Sequence, residues 1–184
     1  REAAASHFWA LAPFVLSAAA LLALTRRRSS PVAKNVRLDA NLPITVVVNT
    51  SPIKSNPSTS LIEQTACSFD LVPGLQQCKK IVICDGYRVR AKRKNYDITA
   101  ERAARYEAFK LRLRQLSKEP SSPLFGAQVL ELEGRHGFGR ALQEGMKLVS
   151  TEFVMVAQHD WVFVRKSLDL RATIRSMELL PSVK

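Results

Sequence analysis

The chain has 184 residues, the length of one ordinary domain, and its 46% hydrophobic and 24% charged residues are typical of a globular protein rather than a disordered or collagen-like one. The 28 Lys and Arg residues against 16 Asp and Glu give a formal charge of +12, which favours anionic partners such as phosphates, nucleic acid or lipid head groups. The three cysteines include no CxxC pair and no histidine cluster accompanies them, so they indicate neither a zinc module nor a disulfide scaffold.

The first segment of the chain is uncharged from Phe8 to Leu24 and is followed by three consecutive arginines at 26–28. Because about 20 apolar residues span a bilayer, residues 1–28 are predicted to be a single-pass membrane anchor with a basic flank. A cleaved signal segment is the alternative. The basic flank favours a cytosolic position for the rest of the chain, and a lumenal one needs competing positive charge before Arg1.

Residues 29–43 are polar and flanked by prolines, which is typical of a linker. The chain starts at Arg1 rather than at a methionine and has no closing signature at Lys184, so we expect it to be a piece of a longer protein.

From Ile44 onwards, short β-branched runs alternate with amphipathic stretches. Predicted strands cover 44–49, 80–84, 127–132 and 152–157, and predicted helices open at Pro57 or Ser58 and cover 99–118 and 139–149. The repeated strand, helix, strand order is the unit of a parallel sheet. The sequence therefore predicts an α/β fold over residues 44–184, with a Rossmann-like parallel sheet flanked by helices.

Polar or glycine residues follow each predicted strand. They are Asn49-Thr50 after the first, Asp85-Gly86-Tyr87-Arg88 after the second, Glu133 to Gly139 after the third, and Gln158-His159-Asp160 after the fourth. A single such residue is more often a turn or cap than a site. Because ligands bind beyond the carboxyl ends of parallel strands, the four together predict a binding site at one sheet edge.

This order resembles the nucleotide-sugar-binding half of the GT-A fold glycosyltransferases, especially the family-2-like inverting group, over 44 to about 163. In that family the second strand ends in an Asp that holds the base or ribose, matched by Asp85. A Gly-containing turn leads into a helix, matched by Gly137 to Gly145, and a later strand closes in a D-x-D-like motif, matched by Gln158-His159-Asp160. The resemblance implies inverting transfer of a sugar from a nucleotide-diphospho-sugar donor to the hydroxyl of a glycan, protein or lipid acceptor.

The donor-binding residues that the resemblance implies are Asn49, Thr50, Asp85, Arg88, Gly137, Gln158 and Asp160. It also implies a divalent cation, Mn²⁺ or Mg²⁺, at Asp160. Gln158 replaces the first carboxylate of the motif, although one carboxylate with phosphate oxygens and water can hold such an ion. His159 is predicted to be packed with a fixed tautomer rather than to bind a ligand.

No acid stands out as the general base for the acceptor hydroxyl, because only the basic, amphipathic segment 164–184 follows the D-x-D-like strand. We expect the catalytic base and the acceptor site to be absent from this chain, through truncation or divergence. The alternative function is a catalytically degenerate, basic, membrane-associated binding module on the same fold.

The stretch from Arg88 to Lys118 is rich in Lys and Arg, and its pattern favours a solvated helix face beside a loop. Nucleic acid is not an expected partner, because no RNA- or DNA-binding motif accompanies the charge. The anchor and the resemblance together imply a single-pass protein of the Golgi or endoplasmic reticulum membrane.

Overall fold

The computed structural model describes residues 25–26, 42–90, 97–166 and 168–179. The strands of this part of the chain are β1 (Thr25–Arg26), β2 (Ile44–Thr50), β3 (Lys79–Cys84), β4 (Gln128–Glu131) and β5 (Phe153–Gln158). Its α-helices are α1 (Ser60–Ser68), α2 (Ala100–Leu116), α3 (Phe138–Met146) and α4 (Leu170–Leu179), and a 3-10 turn at Phe69–Leu71 follows α1.

The strands form one sheet in the order β1, β5, β2, β3, β4. Strand β2 pairs in parallel with β3 on one side and with β5 on the other, and β4 pairs in parallel with β3. The two-residue β1 is antiparallel to β5. The predicted α/β fold with a parallel sheet is thus confirmed. The strand order changes direction between β2 and β5, because β3 and β4 follow on one side of β2 and β5 pairs on its other side.

Strand β2 lies at the centre because its β-branched residues are apolar on both faces. All seven of its residues are buried. Val46 and Val48 contact the core cluster that contains residues of α1, α2 and α4, whereas Val47 contacts the cluster under α3. Helices therefore cover both faces of the sheet, as a continuously apolar parallel strand requires.

Helix α2 follows the predicted pattern closely. The Oγ1 atom of Thr99 accepts a hydrogen bond from the Arg102 backbone N–H at 3.3 Å, which caps the start of the helix. The predicted apolar stripe is buried against the sheet: Ala103, Tyr106, Phe109, Leu113 and Leu116. This helix begins one residue later and ends two residues earlier than predicted.

Helix α1 begins at Ser60 rather than at Pro57 or Ser58. The preceding residues form a turn instead, in which Asn56 Oδ1 accepts a hydrogen bond from the Ile53 backbone N–H at 2.8 Å. Such local side-chain bonds compete with helix formation, so α1 begins only after this turn, with Thr59 at its N-cap position.

Of the predicted anchor over 1–28, only Thr25 and Arg26 are described, and they form β1. Its other residues, most of the predicted linker and the basic residues Lys92 to Lys94 lie outside the described residues. No helix within the described ranges has both the length and the apolar character needed to cross a membrane. Leu42, at the end of the predicted linker, is 5% exposed and belongs to the core, and the Pro43 carbonyl accepts a hydrogen bond from the Phe153 N–H.

Candidate functional site

A crevice of about 350 Å³ opens at the carboxyl ends of β2, β3 and β5. Five of the seven predicted donor-binding residues line it: Asn49, Thr50, Asp85, Gly137 and Gln158. It coincides with the point where the chain reverses direction between β2 and β5, which is where open parallel sheets bind their ligands. The other two, Arg88 and Asp160, are exposed and do not line this crevice.

Asp85 ties the end of β3 to the loop before α3. Its Oδ1 accepts a hydrogen bond from the His136 backbone N–H and its Oδ2 accepts one from the Gly137 N–H, both at 2.9 Å. The residue is only 4% exposed. A carboxylate has about four lone-pair sites, so Asp85 retains acceptor capacity toward a ligand while it holds this loop.

The backbone between Asp85 and α3 is packed too closely for larger residues. A Cβ added at Gly86 would collide with the backbone of Gly134 and of Leu132. Gly137 has φ of +75°, a left-handed conformation that residues with a Cβ adopt at a cost. These glycines let the loop bring the N-terminus of α3 to the crevice.

Below this loop, Tyr106 supports the end of β3. Its buried hydroxyl donates a hydrogen bond to the Asp85 carbonyl at 3.1 Å. Burial, followed by the effect of the neighbouring Cys84, raises the pKa of Tyr106, so the hydroxyl keeps its proton and remains a donor. Tyr106 thus fixes the Asp85 backbone from the side opposite the crevice loop.

Asn49 and Thr50 line the crevice at the carboxyl end of β2. Asn49 is 8% exposed and Thr50 is 1% exposed. Neither Asn49 Oδ1 nor Thr50 Oγ1 has a hydrogen-bond partner among the described residues. A buried polar atom left unpaired costs about 1–3 kcal/mol, so a ligand that reached these oxygens through a small shift of the crevice wall would gain their hydrogen bonds.

Gln158 and His159 form the β5 side of the crevice. Gln158 pairs in register with Asn49, so the two residues lie side by side on neighbouring strands. The His159 backbone N–H donates to the Asn49 carbonyl at 3.2 Å, and its ring Nδ1 lies 3.4 Å from the same carbonyl oxygen. An Nδ1–H group would donate to that carbonyl and leave Nε2 as an acceptor, and the tautomer-fixed histidine stays a prediction.

Two arginines outside the set of seven predicted donor-binding residues, Arg102 and Arg135, also line the crevice. Asp97 lines it as well, but its carboxylate is paired with Arg90 at 2.7 Å. With the Asp85 carboxylate already accepting two backbone N–H groups, the crevice presents cations and a helix N-terminus, which together favour an anionic ligand. Arg102 is one of many basic residues between Arg88 and Lys118, so charge alone did not assign it to the site. The signal that distinguishes it is its position in the first turn of α2, after the N-cap Thr99.

The fit for a divalent cation rests on Asp160. Among the described residues no group of three or more His, Cys, Asp or Glu side chains is positioned to hold a metal ion. Asp160 is an exposed carboxylate two residues beyond the end of β5, so an ion there would depend on ligand oxygens and water for most of its coordination.

A scan of the chain against protein-family models gives no match, and a search of curated proteins gives no significant match.

Proposed function

We propose that the crevice binds the nucleoside diphosphate of a nucleotide-sugar donor and that the chain is the donor-binding domain of a GT-A-like glycosyltransferase. The observation that carries the proposal is the crevice lining, which combines Arg102 and Arg135 with Asn49 and Thr50, whose buried Oδ1 and Oγ1 atoms have no partner among the described residues. A nucleotide offers phosphates to the two arginines and base and ribose groups to Asn49 and Thr50. The location at the carboxyl ends of parallel strands supports the same assignment.

Sugar transfer requires stabilisation of the diphosphate as it leaves the sugar. Arg102, Arg135 and the N-terminus of α3 supply positive charge at the crevice. Asp85 has a positioning role in this proposal, because it holds the backbone of His136 and Gly137 at the start of α3. Asp160 does not line the crevice, so it would help to neutralise the diphosphate only by holding a Mn²⁺ or Mg²⁺ ion together with the phosphate oxygens.

A second candidate function is a binding module that recognises the same nucleotide without transferring its sugar. One feature favours it: Gln158 stands where the motif has its first carboxylate. Incubation with nucleotide-sugars distinguishes the two, because release or transfer of the sugar requires the enzyme and binding without turnover identifies the module.

The binding proposal is tested by thermal unfolding of the full chain with UDP, GDP or ADP, each with and without Mn²⁺. A nucleotide at 100 times its Kd stabilises the folded state by about 2.7 kcal/mol, which corresponds to a rise of about 5–10 °C in Tm for a chain of this size. T50V removes only the unpartnered hydroxyl and should lower that rise by about a third, the effect of losing one hydrogen bond of about 1 kcal/mol.

T45V is the matched control, because it makes the same substitution at the opposite end of β2, where Thr45 Oγ1 is bonded to Thr151 Oγ1 at 2.8 Å. This variant should unfold at a lower temperature but keep the full nucleotide-dependent rise. Asp160→Ala should abolish the Mn²⁺-dependent part of the rise. If none of the nucleotides changes the Tm of the unmodified chain, the proposal is wrong.

The membrane anchor over residues 1–28 and residence in the Golgi or endoplasmic reticulum remain part of the proposal. The uncharged run from Phe8 to Leu24 supports them. Extraction of cell membranes with alkaline carbonate tests the anchor, since an integral membrane protein stays in the pellet and a peripheral one is released.

A further inference from the structure

A second cavity, of about 280 Å³, lies next to the crevice and is lined by Ile53, Lys54, Asn56, Arg102 and Arg105. Arg102 lines both concavities, so they are neighbours along the first turns of α2. The loop between β2 and α1 runs beside both, with Ser51 and Pro52 at the crevice and Ile53 and Lys54 at the second cavity.

The lining of this second cavity contains three cationic side chains and no carboxylate. Arg105 Nη1 lies 3.8 Å from Glu101 Oε1, and both side chains are at least half exposed, so this pair contributes little. Lys54 and Arg102 form no ion pair with another described residue. The cations are therefore available to a ligand rather than committed to the fold.

Asn56 adds an independent indication of a ligand. The residue is 2% exposed, and its Oδ1 is oriented by the hydrogen bond from the Ile53 N–H at 2.8 Å. Its Nδ2 has no hydrogen-bond partner within the part of the chain that the structure describes. An amide donor beside three cations is a set of groups that suits the oxygens of a compact anion.

We infer that Lys54, Asn56, Arg102 and Arg105 form a second anion site, which binds a phosphate or sulfate group beside the crevice. The inference depends on these contacts and not on the identity of the crevice ligand. Arginine matches the oxygens of a phosphate with two parallel N–H groups, and lysine adds a point charge. The site would hold a phosphorylated or sulfated molecule next to whatever occupies the crevice.

The test is a titration of the ¹⁵N-labelled full chain with inorganic phosphate, followed by NMR at the side-chain amide of Asn56 and the backbone amides of Lys54 and Gly137. Saturable shifts are expected at Asn56 and Lys54. R105Q and K54Q should each weaken the binding that is followed at Asn56 by about tenfold, the usual effect of losing one charge-assisted contact. R105K should weaken the binding less than R105Q does, because lysine keeps the charge but lacks the two parallel N–H groups.

R112Q is the matched control for R105Q, since it removes the same charge from the same helix at a residue that does not line this cavity. Its affinity for phosphate should equal that of the unmodified chain. T50V should also leave the Asn56 shifts unchanged, which separates this site from the crevice. Glycerol 3-phosphate is the second probe: tighter binding than inorganic phosphate assigns the site to a phosphorylated molecule, and equal binding assigns it to the free ion.

The inference is overturned if Asn56 shows no shift, or if shifts occur only at Gly137, because phosphate then enters the crevice alone. It is also overturned if R105Q and K54Q bind phosphate as tightly as R112Q does. Each of these results would leave nucleotide binding in the crevice untouched.

Discussion

Asp85 is the residue on which the shape of the crevice depends most directly. The sequence indicated it because it follows the β-branched run that becomes β3, and strand ends meet at one edge of a parallel sheet. Its hydrogen-bond partners, His136 and Gly137, lie about 50 positions further along the chain. No local pattern gives that pairing, because it depends on how the loop after β4 folds back over the end of β3.

Asp85→Asn should destabilise the protein by about 1–3 kcal/mol. The substitution removes the charge from two hydrogen bonds to backbone N–H groups and presents an N–H₂ group to one of those donors. Urea unfolding measures the loss, and nucleotide affinity should fall as well because the start of α3 is no longer held in place.

Asp169→Asn is the control for that measurement, because Asp169 also accepts a backbone hydrogen bond, from the Ala172 N–H at 3.0 Å, but at an exposed helix start. Asn is as good an N-cap as Asp, so the free energy of unfolding should change by less than about 0.5 kcal/mol. Equal losses in the two variants would contradict the role given to Asp85.

The other predicted site residues lie at different distances from the crevice, for reasons that the sequence reveals only in part. Asn49 and Gln158 were placed correctly at the crevice because the register of β2 and β5 follows from their apolar patterns. Asp160 lies further along and is exposed, since the chain turns away after Gln158. Arg102 lines the crevice from the first turn of α2, a position that charge patterning does not determine.

At the scale of elements, α3 sets the position of the crevice because its N-terminus faces the ends of the strands. Gly145 lets this helix approach the sheet: a Cβ there would collide with the side chain of Ile83, which is fully buried in β3. Gly139 lies in the same helix, and a Cβ there would meet nothing within 4 Å.

Gly145→Ala should therefore destabilise the protein by about 1–3 kcal/mol, the usual cost of overpacking a core. Gly139→Ala, the matched control, should be neutral or stabilising by up to about 1 kcal/mol, because alanine favours the helix. Unfolding in urea measures both variants. Similar effects at the two positions would show that α3 does not press on β3 as described.

Strands β2 to β5 and helices α2 and α3 were predictable because the periodicity of their apolar residues reflects which of their faces are buried. The consecutive apolar residues Val46, Val47 and Val48 identify a strand that is covered on both faces. The apolar stripe of α2 identifies a helix that is buried on one side. The start of α1 was not predictable in this way, since the Asn56 side chain stabilises a turn where a proline suggested a helix start.

At the scale of the whole molecule, two buried groups that are neutral in the folded protein make the free energy of unfolding decrease at alkaline pH. Burial, with a smaller effect of Glu131, raises the pKa of the Cys84 thiol from 9.0 to about 12, and burial raises that of Tyr106 as well. Both groups ionise more readily in the unfolded chain. Their contribution is complete below about pH 9 and is lost as the pH rises toward 12.

The free energy of unfolding should therefore fall between pH 9 and pH 11, with each such group contributing a slope of up to about 1.4 kcal/mol per pH unit. Urea midpoints at a series of pH values measure this slope. Cys84→Ala should give a shallower slope than the unmodified chain. A slope that is unchanged in this variant would contradict the assignment.

The formal charge of +12 favours anionic ligands in general, but a specific binding site exists only where the fold brings several cationic side chains together. Arg102 connects two such places, the crevice and the cavity beside it. Composition predicted an anionic ligand, but only the sheet order and the path of the loops determine where that ligand can meet both positive charge and unpaired buried atoms.

A crystal structure of the chain grown with a nucleoside diphosphate at several times its Kd tests the central claim most directly. We expect Asn49 and Thr50 to bind the base or ribose, and the phosphates to lie within hydrogen-bond distance of Arg102, Arg135 or the first turn of α3. A nucleotide bound elsewhere on the surface, with Asn49 Oδ1 and Thr50 Oγ1 still unpaired, would contradict it.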